Sequence, residues 1–215
     1  MWNPGWDNIF KKYKWGKYPD LSIVRFLSKN LNLKNKKVLE LGVGTGANLN
    51  FLIEKKLKVF GIDGSNVALK IAKKDLKKKK LIAHLVQGDI NQLPYKNNFF
   101  DYVIDCECLY ANSLQDTKNI LFEINRVLKK GGFFFSKTFA KNSIGKNLLK
   151  KKRKQLFLNS NRLKKGYGNF RISSLSEIKK IYSANFKIIN IDLEMRTTNN
   201  MKNLIKEWVV ISKKI

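Results

Sequence analysis

Acidic residues are scarce in this 215-residue chain: sixteen Asp and Glu stand against forty-four Lys and Arg, a formal net charge of +28. Cysteine occurs only at positions 106 and 108 and histidine only at position 84. The two cysteines are too close in sequence to brace a fold, so a disulfide scaffold is excluded. A lone C-x-C also lacks the three or four ligands that zinc requires. No metal site is expected, and Cys106 and Cys108 read as small buried fillers. With one histidine, placed inside a presumed strand as a core or surface residue, no histidine base is expected. Long uncharged apolar runs and a basic-then-apolar leader are both missing, which predicts no integral membrane association and a cytoplasmic protein.

The positive excess has two readings. It fits phosphate-rich partners, such as RNA or an anionic membrane surface. It also fits compositional drift toward A/T-rich codons, because Lys, Asn, Ile and Phe are abundant together. Between Lys141 and Lys165, however, ten cations occur without a single acid, including the run Lys150, Lys151, Lys152, Arg153 and Lys154.

At 25.0 kDa the chain suits a single domain over 1–215. Residues 1–35 form an aromatic arm and helix, 36–140 a core, 141–172 a basic insert on the substrate side, and 173–215 a helix and strand pair. In the arm, Trp2, Trp6, Tyr13, Trp15 and Tyr18 precede Pro19. They need something to bury against, so the arm is expected to act as a lid. Leu21, Val24, Leu27 and Leu31 then recur at helical spacing.

Strands are expected at about 37–41, 58–62, 81–87, 102–105, 133–135, 186–193 and 207–212. Helices fall between them, one carrying Ala68, Ile71, Ala72 and Leu76, another stopped by Gly131-Gly132. This alternation predicts an α/β, doubly wound, mostly parallel seven-stranded sheet with helices on both faces.

The segment Val38-Leu39-Glu40-Leu41-Gly42-Val43-Gly44-Thr45-Gly46-Ala47-Asn48 reads as a buried strand ending in an acid, a glycine-rich turn and a helix start. Glycines let the chain turn sharply and let backbone approach a ligand closely. A dinucleotide fingerprint reads G-x-G-x-x-G, whereas acid-x-G-x-G-x-G favours a nucleoside-like cofactor without a pyrophosphate.

That segment resembles the first motif of class I S-adenosylmethionine-dependent methyltransferases. Val59 to Ser65, Gln87 to Ile90, Phe99 to Asp105 and Leu121 to Gly132 are similar, in order, to the second to fifth motifs. With Trp15-Gly16, Tyr18-Pro19 and the tail Glu194 to Asn200 leading to Glu207-Trp208-Val209-Val210, the resemblance extends to small bacterial methyltransferases of the type 11 group, and it implies a Rossmann-like methyltransferase fold with the last strand antiparallel. It also implies S-adenosyl-L-methionine as cofactor, held by Glu40, Gly42, Gly44, Gly46, Asn48, Asp63, Gly64, Ser65, Asp89, Ile90 and Asp105.

Within that resemblance, Asp63 is expected to accept hydrogen bonds from the ribose hydroxyls, Glu40 to meet the methionine amino group, and Asp89 the adenine amino group. Asp105 and Tyr110, leaving the fourth strand where the methyl should lie, are the candidates for a direct chemical role. The expected reaction is methyl transfer to a small-molecule or saccharide-type acceptor, anionic or on an anionic carrier, driven mainly by positioning. An RNA methyltransferase and a non-catalytic S-adenosylmethionine-binding protein are the alternatives; no N-P-P-Y-like motif or paired catalytic cysteine supports base methylation.

Overall fold

The computed structural model describes residues 3–13, 16–29, 32–142 and 171–215. Its centre is β1 (Lys37–Leu41), flanked in parallel by β2 (Lys58–Asp63) on one side and β4 (Phe100–Cys106) on the other. With β3 (His84–Gln87), β5 (Leu128–Phe139), β6 (Lys187–Thr198) and β7 (Asn203–Lys213) the sheet runs β3-β2-β1-β4-β5-β7-β6. The last strand, β7, is antiparallel to both of its neighbours. This is the doubly wound sheet expected from the sequence. The winding reverses between β1 and β4, which opens a crevice beyond their carboxyl ends.

Helices cover both faces because residues along each central strand alternate between two cores. Leu39, Val103 and Phe134 face α5 (Leu114–Val127) and α6 (Leu175–Ser183). Val38, Ile104 and Phe135 face α2 (Leu21–Leu27), α3 (Leu49–Glu54) and α4 (Asn66–Lys79). Four of these helices open on side-chain caps: Asp20, Ser65, Ser113 and Ser174 accept from backbone N–H groups of the first turn. Lys77, Lys78 and Lys79 close α4, at the terminus whose carbonyls favour cations.

The structure corrects several local expectations. The arm contains a helix, α1 (Gly5–Lys12). In α2 the cap at Asp20 sets the phase, so Ile23, Phe26 and Leu27 are buried while Leu21 is exposed; Leu31 lies outside the described residues. Ile71 is likewise exposed, and Leu69 takes its expected place in the core. Gly131-Gly132 does not stop α5. The helix ends at Val127, and β5 already begins at Leu128, with a register shift that the glycines absorb. Strands β6 and β7 run to Thr198 and from Asn203 because each supplies the other's hydrogen bonds beyond the body of the sheet. Most of the basic stretch, residues 143–170, lies outside the described residues, as do Trp2 and Trp15.

Candidate functional site

Two adjoining clefts lie at the carboxyl ends of β1, β2 and β4. They share Trp6, Phe10, Gly42 and Glu107 in their walls. The first is completed by Asp63, Gly64, Gly88, Asp89 and Ile90. The second is completed by Asp20, Glu40, Gly44, Asn48 and Tyr110 among others.

The glycine loop that separates them bends through positive φ at Gly42 (63°) and Gly44 (55°). A side chain at Gly42 would strike Cys108, whose Sγ would lie 2.5 Å from the added Cβ. At Gly44 the crowding is mild, with the Phe10 ring at 3.6 Å, so backbone conformation is the restriction there. Gly46 instead lets α3 pack on α4, against Leu49 and Ala72.

Asp63 ties the loop to the second strand. Its Oδ2 accepts from the Gly44 N–H at 2.7 Å and its Oδ1 from the Ser65 N–H at 2.8 Å. Burial raises its pKa, those two bonds oppose the rise, and Asp7 adds to it. Each oxygen keeps a lone pair for a donor in the cleft.

Glu40 is more exposed to energetic cost. It is 2 % exposed to solvent, its Oε1 accepts from Asn48 Nδ2 at 2.6 Å, and its Oε2 has no donor. Burial pushes its pKa up to about 8 against the Asn48 bond, with Asp63 contributing. A buried carboxylate oxygen without a donor is costly, and a cationic or N–H-bearing ligand in the second cleft would relieve it.

Asn48 extends the chain of contacts, accepting from the Asp20 N–H at 2.9 Å and so fixing the start of α2 against the loop. On the far side Asp7 of α1 accepts from the Ser65 hydroxyl and, at 3.5 Å, from the Val67 N–H. The aromatic helix, with Trp6 and Phe10 in both cleft walls, is thereby fastened over the site.

The structure brings Glu40, Gly42, Gly44, Asn48, Asp63, Gly64, Asp89, Ile90 and Tyr110 onto the cleft walls. It places Gly46, Ser65 and Asp105 behind them. Asp105 is fully buried and folds the turn after β4, accepting from the N–H groups of Cys108 and Leu109 and from the Ser136 hydroxyl at 2.6 Å. Burial lifts its pKa to about 6 despite these bonds. Tyr110 packs edge-on to Phe139, and burial, with Glu107 nearby, raises its phenol well above its ordinary value. Desolvation raises both cysteine thiols, yet the two are half-buried rather than the buried fillers expected, Cys108 in the wall of the first cleft and Cys106 in that of the second. His84 stacks on Phe60 at 4.8 Å, away from the clefts.

Three groups escaped the sequence reading. Glu107, two residues after Asp105, lines both clefts, in a left-handed backbone conformation (φ 57°) unusual for a residue with a side chain. Lys137 of β5, its side chain 7 % exposed, places Nζ 2.7 Å from Asp20, 3.4 Å from Glu194 and 3.5 Å from Glu207. Glu207 of β7 is 2 % exposed. A lone acid between Cys106 and Cys108 was a visible hint for Glu107; nothing in the linear sequence joins Lys137 to acids of β6, β7 and α2.

The described part of the cleft walls inverts the charge of the chain. Among the described residues lining them are five carboxylates, Asp20, Glu40, Asp63, Asp89 and Glu107, and no lysine or arginine.

Residues 38–132 match a family model described as a methyltransferase domain. The demethylmenaquinone methyltransferase of Thermotoga maritima is 34% identical over 104 residues, covering 47% of this chain and 43% of that protein. The phosphatidylethanolamine N-methyltransferase of Cereibacter sphaeroides is 30% identical over 110 residues, covering 50% and 53%. The chain thus spans about half the length of the curated relatives it matches. A solved S-adenosylmethionine-dependent methyltransferase from Methanosarcina mazei superposes with a TM-score of 0.72 at 20% identity, covering 92% of this chain and 99% of that one. No described helix is long and apolar enough to cross a membrane.

Proposed function

We propose that this chain, whose residues 38–132 form a class I S-adenosylmethionine-dependent methyltransferase domain, transfers a methyl group to a small-molecule or saccharide-type acceptor. The single observation that carries the reading is the donorless Oε2 of Glu40, buried beside a loop that bends through positive φ at Gly42 and Gly44. S-adenosylmethionine, when bound, supplies a methyl group already activated on a sulfonium, together with the cationic amine that Glu40 lacks.

In this reading Glu40, held by Asn48, takes the amino group, and the spare lone pairs of Asp63 take the ribose hydroxyls. Asp89 takes the adenine edge, with Ile90 and Gly64 against the ring. Trp6 and Phe10 shield the site from water. Asp105 acts from behind the wall by shaping the turn that carries Glu107, and Tyr110 lines the acceptor side. Catalysis rests on holding the reactants in line, which can supply roughly 7 to 11 kcal/mol of the barrier.

Small-molecule acceptors agree with the names of the relatives. The ten cations from Lys141 to Lys165 support an acceptor that bears, or is carried on, phosphate or carboxylate. The net charge of +28 favours RNA as a second reading.

Calorimetry with S-adenosylmethionine and its demethylated product tests the cofactor assignment. The wild-type chain should bind both. Asp63→Ala, which loses charge-assisted contacts worth roughly 1.5 to 3 kcal/mol, should bind at least about tenfold more weakly. Equal affinity in the two proteins would refute the role given to Asp63.

A further inference from the structure

Outside the residues assigned to the cofactor, one cation has an unused edge of buried donors. Arg171, the first described residue after the basic stretch, donates its backbone N–H to the Tyr110 carbonyl at 2.7 Å, which sets it beside a wall residue of the second cleft. Its Nη1 donates to the Ser173 hydroxyl at 2.6 Å. Ser173 is fixed at the carboxyl end of β5, where its N–H donates to the Phe139 carbonyl at 3.1 Å and its own carbonyl accepts from Trp208 Nε1 at 2.9 Å. The remaining edge of the guanidinium, formed by Nε and Nη2, is buried and has no hydrogen-bond partner.

The neighbouring acceptors are engaged elsewhere. Asp105 accepts from the N–H groups of Cys108 and Leu109 at 2.9 and 3.0 Å and from the Ser136 hydroxyl at 2.6 Å. The Tyr182 hydroxyl is bonded to the same Ser136 at 2.7 Å. Glu177 accepts from the Ser174 N–H and pairs with Lys141 at 3.5 Å. Residues 141–170, which lead into Arg171, contain no Asp or Glu, so that stretch brings it no counter-ion. Burial lowers the guanidinium pKa against the fields of Tyr182, Asp105 and Glu177, and an arginine keeps its charge through such a shift. A buried charge with two unsatisfied donors is costly. Nε and Nη2 point in parallel, the arrangement that matches the two oxygens of one carboxylate.

We propose that Arg171 determines specificity for the methyl acceptor by binding a carboxylate of that molecule through Nε and Nη2. This deepens the proposed methyltransferase reading and rests on it. One carboxylate matches one fork in both shape and charge, whereas a phosphate monoester would carry a further oxygen and further charge into a buried place. An ester or amide of the same acid would leave the guanidinium uncompensated and should be rejected. Both nitrogens are out of contact with solvent, so access requires the wall around Tyr110 to open. Once bound, the carboxylate ties the acceptor to Tyr110 and the carboxyl end of β5, the same end of the sheet as the cofactor loop.

The test has two arms. In the first, thermal unfolding of the full chain without cofactor is followed in sodium acetate and in sodium chloride at equal pH and ionic strength. Arg171→Met should be at least as stable as wild type in chloride, because it removes a buried cation that has no counter-ion. Acetate should stabilise wild type over chloride in a saturable way, leave Arg171→Met unaffected, and protect wild type better than inorganic phosphate does. A variant that is destabilised or does not fold in chloride overturns the empty fork, since Arg171 would then be paired within the fold. Equal action of acetate on both proteins overturns the site, and stronger protection by phosphate overturns the carboxylate. In the second arm, S-adenosylmethionine labelled in its methyl group is added with the protein to an extract of the source cells. Mass spectrometry should find a free carboxylate on the labelled product, and a product without one overturns the proposal. Arg171→Met should lower transfer at limiting extract by about 10- to 10²-fold while S-adenosylmethionine affinity changes only a few-fold; undiminished transfer overturns the role in specificity. If the wild-type chain binds no S-adenosylmethionine, the methyltransferase reading itself fails, whereas the acetate arm, which needs no cofactor, judges Arg171 separately.

Discussion

The two sides of the cleft are built from different kinds of sequence. On the glycine-loop side the wall comes from three short stretches, 40–48, 63–65 and 88–90, stitched largely by bonds between near neighbours and adjacent strands: Asn48 to Glu40, Ser65 to Asp63, Gly44 to Asp63. On the opposite side Asp20 and Glu107 stand in the wall and Lys137, Glu194 and Glu207 back them from separate places in the fold, and the Lys137–Asp20 contact joins residues 117 apart. A wall made of contiguous motifs can be recognised before it folds. A wall made of single residues from distant strands exists only once the sheet has brought them together, and its energetics depend on each partner being present.

That difference can be broken most severely at Lys137. Lys137→Met would leave the carboxylates of Asp20 and Glu207 facing one another without their cation, and removing one partner of a buried charge network costs about 3 to 5 kcal/mol. Denaturant unfolding should register that loss. A variant as stable as wild type would mean that the distant-strand wall is held by packing instead of charge.

The glycine-loop side should respond to pH. Glu40, raised from 4.5 to about 8, keeps a proton in the folded state that the unfolded chain has already released. Its contribution to stability is therefore greatest at and below pH 4.5 and falls as pH rises toward 8, by up to about 1.4 kcal/mol per pH unit. Asp105, raised to about 6, acts in the same direction but is spent by that pH. Glu40→Gln should flatten the ligand-free stability curve between about pH 6 and 8 and weaken cofactor binding at the same time. If the slope in that window is unchanged, Glu40 does not keep its proton in the folded protein.

The smallest effect is expected at the rim. Arg25, its side chain 61% exposed, pairs with Glu194 at 3.2 Å, and exposed pairs contribute about 0 to 1 kcal/mol. Arg25→Ala should shift the unfolding midpoint barely beyond error. A loss comparable to that of Lys137→Met would show that the network extends to the surface.

By itself the sequence determined the parallel core, the crevice and the glycine-loop wall, because those depend on patterns confined to a few neighbouring residues. Strands such as 37–41 announce themselves as apolar runs, and Gly42 and Gly44 stand where backbone must bend through positive φ. Where the pattern was ambiguous the tertiary structure decided: the buried face of α2 was set by the cap at Asp20, and the start of β5 by pairing with Phe100. Only the tertiary structure could decide the charge of the cleft. A chain of net charge +28 presents five carboxylates and no cation from its described cleft walls. Composition counts residues without saying which way they point, and burial beside Glu207 and Lys137, which gives Glu107 its altered proton affinity, is a property of three strands at once.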